Sequence, residues 1–145
     1  MSSNTNFNYI GIVPADGASG FTGLDIFRVD GALSLDTQTT QIRGTLGIDG
    51  TSESSITYQT GYGYDENDVI GIAIDCDNLQ VTFYKNGVST GTFPHQMKPD
   101  QLWMVFVNDW ASGHADIDQY NLNTGQRPWA YPAPAGYRAI CTHNL

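Results

Sequence analysis

The chain has 145 residues, 16 of them Gly, with only 14% charged side chains and 15 acids against six bases, a formal charge of -9. So acidic a balance excludes a basic nucleic-acid face, since phosphate binding is driven by Lys and Arg. No apolar run reaches the 18 residues that a membrane helix needs, and Met1 to Asn6 has neither the basic start nor the apolar stretch of a secretory signal. The length predicts one domain over residues 1–145, able to bury roughly two thirds of the surface exposed when unfolded.

Residues 7–13 alternate weakly and stop at Pro14, which has no N–H for a ladder, so they read as a strand. A Gly- and Ser-rich loop follows over 15–23. Residues 24–35 form a hairpin around Asp30-Gly31, with Leu33 and Leu35 continuing beyond the turn. After a polar linker at 37–41, Ile42, Gly44, Leu46 and Ile48 share one side of a strand that turns at Asp49-Gly50, and residues 54–60 form another.

Residues 68–76 are the clearest strand. Ile70, Ile72, Ile74 and Cys76 fall on one side and Gly71, Ala73 and Asp75 on the other, and the small residues leave room for something to lie close. Asp77-Asn78 reverses the chain, residues 79–85 return with Leu79, Val81 and Phe83 on one face, and Asn86-Gly87 reverses it again. Asn-Gly favours a type I′ turn because both central residues there need positive φ. An antiparallel meander of three strands results, with the three isoleucines buried together.

Leu102-Trp103-Met104-Val105-Phe106-Val107 reads as a strand buried on both faces, residues 108–113 as a loop carrying Trp110, and residues 114–121 as an alternating strand. In 128–134 the prolines fix φ and hold Pro-Trp-Ala-Tyr-Pro-Ala-Pro in an extended path across a sheet. No stretch has the periodicity of an amphipathic helix.

Asp-Val-Ile-Gly-Ile-Ala-Ile-Asp, then Asp-Asn, then Val-Thr-Phe-Tyr-Lys-Asn-Gly, resembles the central hairpin of the SPRY (B30.2-like) domain family. Asn123-Thr124-Gly125-Gln126-Arg127-Pro128-Trp129-Ala130-Tyr131, with the Pro132, Pro134, Gly136-Tyr137-Arg138 run behind it, is similar to the ending of SPRY-like domains in bacteriophage tail and fibre proteins. The resemblance is strongest over 58–145. It implies an all-β fold, a bent two-sheet antiparallel β-sandwich of the concanavalin A type, or SPRY jelly roll.

Three positions depart from the family. Leu79 stands where a Gly usually follows Asp-Asn, so the turn is shorter or Asn78 takes the left-handed angle. Thr124 replaces an apolar residue that plugs the sandwich edge. The aromatic-rich opening strand is missing, which predicts an open edge at 7–13 covered by a preceding segment or by a neighbouring chain of a homo-oligomer, a trimer as in fibre proteins.

The resemblance further implies a non-enzymatic binding module of a phage virion, tail fibre or surface appendage. It would be made in the host cytoplasm and would recognise a host-surface glycan or protein through loops at one end of the sandwich, beside other virion proteins. The alternatives are a structural connector or decoration module with no receptor, and a glycan-active hydrolase. The candidate ligand-binding residues are Tyr62, Tyr64, Asp109, Trp110 and His114. Tyrosines among glycines present rigid amphipathic rings, although they serve equally at the edge of a core. Trp110, with Asn108, Asp109, Ser112 and His114 around it, suits stacking on a sugar ring; Trp103 and Trp129 read as packing residues.

Asp116 and Asp118 share one strand face at a spacing of about 6–7 Å, near that of paired glycosidase carboxylates, but the usual glutamates are missing. No nucleophile motif surrounds the three histidines and no phosphate loop opens a helix, so no catalytic residue, cofactor or metal is expected. Asp75, Asp77 and Asn78 read as turn residues and Cys76 and Cys141 as buried free thiols.

Overall fold

The computed structural model describes residues 7–15, 31–36, 41–45, 55–60, 64, 67–95, 101–110 and 119–140. Among these residues eight strands run in order: β1 (Phe7–Pro14), β2 (Leu33–Asp36), β3 (Gln41–Thr45), β4 (Ser55–Thr60), β5 (Ile70–Asp75), β6 (Gln80–Lys85), β7 (Val88–Pro94) and β8 (Trp103–Trp110). They form a five-stranded sheet ordered β4-β3-β2-β1-β8 and a three-stranded sheet ordered β5-β6-β7, antiparallel throughout. The all-β expectation holds.

The core forms where the two sheets face each other. Ile12, Leu33, Leu35 and Ile42 of the large sheet meet Val81, Phe83 and Phe93 of the small one, and all seven are at most 5% exposed. Cross-strand pairing aligns these side chains, because Ile72 stands opposite Phe83, Ile74 opposite Val81, and Val81 opposite Phe93. The Phe83 and Phe93 rings lie 6.3 Å apart at 55°, a tilted contact. On the other face of β6 and β7, the Thr82 and Thr92 hydroxyls share a 2.8 Å hydrogen bond. Ile70, Ile72 and Ile74 pack against the core but are only half-buried, since β5 is the outermost strand of its sheet.

Several expectations need correction. β1 is not an open edge: β2 pairs one side of it and β8 the other, the latter from Phe7↔Trp110 to Pro14↔Trp103. Close packing here requires Gly11, where an added Cβ would lie 2.1 Å from the Leu33 carbonyl oxygen. Asn108, Asp109 and Trp110 are not loop but the end of β8, extended by pairing with Tyr9, Asn8 and Phe7. β8 is not buried on both faces either: Phe106 is buried, whereas Met104, Val105 and Val107 are exposed because β8 is the last strand of its sheet. Cys76 lies beyond the end of β5 in the turn, an exposed free cysteine and not a buried one. Residues 119–121 form no strand; 111–118, with Asp116 and Asp118, lie outside the described residues, as do Asp49-Gly50 and Cys141.

Leu79 keeps the turn length of a glycine by adopting the left-handed angle itself, with φ 53°. Its side chain is consequently pushed to 43% exposure instead of joining Val81 and Phe83 inside. The Asn86-Gly87 turn forms as expected, with φ 51° and 79°.

Candidate functional site

A groove of about 1570 Å³ runs along β5. Every residue from 67 to 74 lines it, so both faces of the strand reach it, and among the described residues β5 pairs with β6 alone. Ile10, Val105 and Val107 contribute the large sheet's inner face, and the C-terminal segment 119–140 supplies much of the remaining wall.

That segment holds its shape through local hydrogen bonds. The Asn123 amide oxygen accepts from the Gly125 and Arg127 N–H groups (3.1 and 3.3 Å), and its amide nitrogen donates to the Arg127 and Pro128 carbonyls (3.1 and 3.3 Å). Gln126 Nε2 donates to the Leu122 carbonyl at 2.9 Å, while its Oε1 accepts from the Thr124 N–H and hydroxyl at 2.7 and 3.1 Å. Thr124 thus closes a polar knot. Because these bonds order the backbone at 122–128 before any ligand arrives, binding there does not have to order it.

Those side chains are Arg127, Trp129, Tyr131 and, further on, Tyr137 and Arg138, all at the groove. Trp129 is 36% exposed and Tyr131 41%, so each ring is partly covered, as its packing role requires of Trp129, and partly open to the groove. Tyr131 rests on the bare backbone of Gly87, where a Cβ would come within 2.6 Å of its ring. Tyr84 meanwhile covers Gly71, so small residues do admit close neighbours on this face. Desolvation, reinforced by the negative charge of Asp75 and by Tyr84, pushes the Tyr137 phenol above its ordinary pKa and keeps it a neutral donor.

Polar locks fix the strand that borders the groove at both ends. The Asn86 amide oxygen accepts the Val69 N–H at 2.8 Å, its Nδ2 donates to Asp68 Oδ1 at 2.6 Å, and the Asn86 N–H donates to the Val69 carbonyl at 2.8 Å. Lys85 Nζ meets Asp68 Oδ2 at 2.8 Å, so the Asp68 charge is matched. At the far end Asp75 Oδ1 accepts the Asp77 and Asn78 N–H groups (3.1 and 2.9 Å), and Oδ2 accepts Asn78 Nδ2 (2.8 Å). The Asn78 side-chain amide, then its backbone N–H, hold the Asp75 carboxyl below its ordinary pKa. His95 is buried with Nε2 3.0 Å from the Asp75 carbonyl oxygen, and its ring tilts against Trp103. Among the described residues no group of three or more His, Cys, Asp or Glu is placed to hold a metal ion.

Of the sequence-derived site residues, Tyr64 lines the groove and packs half-buried against the core. Asp109 and Trp110 are on β8, their side chains outside the described set, and Tyr62 and His114 lie outside it entirely. The groove therefore gathers Tyr64 but is built mainly from residues that spacing did not single out. Only the run of aromatic and basic residues from 127 to 138 signalled them.

Two facing antiparallel sheets with this meander at their centre agree with the match of the SPRY domain profile to residues 28–115. The chain belongs to the SPRY family. The match spans β2 to β8 and ends before the C-terminal segment, so the groove has one wall inside the SPRY match and one beyond it. No curated protein and no solved structure matches the chain. SPRY domains are in general protein-interaction modules and typically non-catalytic.

Proposed function

We propose that this SPRY chain is a non-enzymatic recognition module of a phage virion, in a tail fibre or another surface appendage, that attaches to a glycan or protein on the host surface. The observation that carries the binding role is the exposed pair Trp129 and Tyr131, held by the hydrogen-bonded knot at 122–128 over a groove that Tyr64 also lines. Such rigid aromatic anchors are the residues in which binding energy concentrates. Tyr62, Asp109, Trp110 and His114 belong to the proposed surface on sequence position alone, since Tyr62 is two residues from Tyr64 and the other three follow Val107. The virion assignment is supported by the resemblance of residues 123–145 to the endings of phage tail and fibre domains.

The test is adsorption of the labelled chain to a panel of bacterial host strains. Trp129→Ala should weaken adsorption by about 2 kcal/mol, roughly thirtyfold, with the urea midpoint unchanged. Unchanged adsorption, or a loss of stability of equal size, refutes the role of Trp129. Trp110→Ala reports separately on the β8 end.

A further inference from the structure

The groove offers more than aromatic rings. β6 satisfies one edge of β5, and among the described residues no backbone hydrogen bond reaches Ile70 to Ile74 on the side away from β6. Three prolines, at 128, 132 and 134, sit in the segment beside that edge, and proline has no N–H with which to zip onto it. An exposed strand edge is a template for another strand. The side chains bordering it recur every second residue, Ile70, Ile72 and Ile74 on β5 and Val105 and Val107 on β8, which is the spacing at which an incoming strand presents its own.

Charge narrows the occupant. In a chain of net charge -9, two of the six basic residues, Arg127 and Arg138, line this one groove. Both are exposed, and among the described residues neither guanidinium has an ion-pair partner, whereas Lys85 is taken by Asp68. The rest of an acidic surface repels a negatively charged segment, so attraction concentrates here, and guanidinium forks match carboxylates.

Resting on the reading of the chain as a binding module, we infer that the groove takes an extended, acidic polypeptide segment of the partner, which adds as a fourth strand to the free edge of β5. Main-chain hydrogen bonds to β5 supply affinity, apolar side chains at every second position fill the space over Ile10, Val105 and Val107, and carboxylates meet Arg127 and Arg138. A glycan fits less well, because aliphatic side chains offer no hydrogen bonds to sugar hydroxyls.

The test is selection of a random decapeptide display library on the full chain, followed by titration of the synthetic peptides recovered. The selected sequences should alternate apolar residues with Asp or Glu, and the Arg127→Glu, Arg138→Glu double variant should bind them at least about tenfold more weakly. Circular dichroism should show that variant folded, since both side chains are exposed. N-methylation of alternate peptide nitrogens should abolish binding at one parity and spare it at the other, because a strand presents only every second N–H to its neighbour. A library yielding no acidic alternation, equal effects of both parities, or binding indifferent to the double variant overturns the inference. Arginine-dependent binding of oligogalacturonate without peptide selection also overturns it, in favour of a carboxylated glycan. Self-association of the chain in ultracentrifugation that protects the β5 amides assigns the edge to a second copy instead. In these cases host adsorption persists; loss of adsorption across the host panel refutes the binding reading itself.

Discussion

Asn86 is the residue at which the meander is most open to a quantitative challenge. Asn86→Gly keeps a residue suited to the left-handed angle and removes two side-chain hydrogen bonds, one from the Val69 N–H and one to the Asp68 carboxylate. The first contributes about 1 kcal/mol and the second, to a charged acceptor but half-exposed, about 1.5 kcal/mol. A loss of about 2.5 kcal/mol follows, or about 5–10 °C in Tm. Asn86→Ala loses the same bonds and also forces a Cβ-bearing side chain without polar compensation into φ 51°, adding about 1 kcal/mol. Urea denaturation followed by tryptophan fluorescence measures both, provided the slope of free energy against urea is unchanged. If the glycine variant lies within about 0.5 kcal/mol of the parent, the bonds to Asp68 and Val69 contribute nothing net. If the alanine variant is no worse than the glycine variant, the left-handed angle is not what constrains position 86.

Phe83→Ala should cost about 3–5 kcal/mol by the same assay, because the ring is fully buried between the sheets; a loss below about 1 kcal/mol would mean that the core closes elsewhere. Asp75 has a folded pKa below its unfolded one, so its carboxylate favours the fold above the ordinary value of about 3.9, and that contribution disappears as pH falls through the folded pKa. Asp75→Asn should therefore show less acid destabilisation than the parent in that window and nowhere else, which thermal melts across pH 2–6 check. Trp129→Ala should separate adsorption from stability as described above.

Much of the fold could be read in the sequence because its signals are local. Two-residue alternation placed Ile70, Ile72 and Ile74 on one face, and Asn86-Gly87 carries its turn in its own backbone preferences. Long-range pairing escaped that reading. The central place of β1 depends on β8, and the extended state of Asn108 to Trp110 comes from partners at Tyr9 to Phe7 that local propensity does not reveal. Leu79 shows a tertiary demand overriding residue preference, since the turn length fixed by β5 and β6 forces φ 53° on a side chain that disfavours it. The groove was the least legible, being assembled from β5, β8 and a C-terminal segment whose prolines specify an extended path but not the direction in which Trp129 faces.

The placement of β1 between β2 and β8 sets the order in which the chain can acquire its structure during synthesis. The meander of β5, β6 and β7 closes by short turns and is free to form as soon as it leaves the ribosome. The large sheet is complete only after Trp110 has been made, since the last strand must travel back to pair with the first. Until then β1 presents an open edge beside the apolar Ile12 and Val13. A nascent chain halted before Trp103 is therefore an aggregation hazard, and a stop codon there should yield insoluble protein although the whole meander is intact.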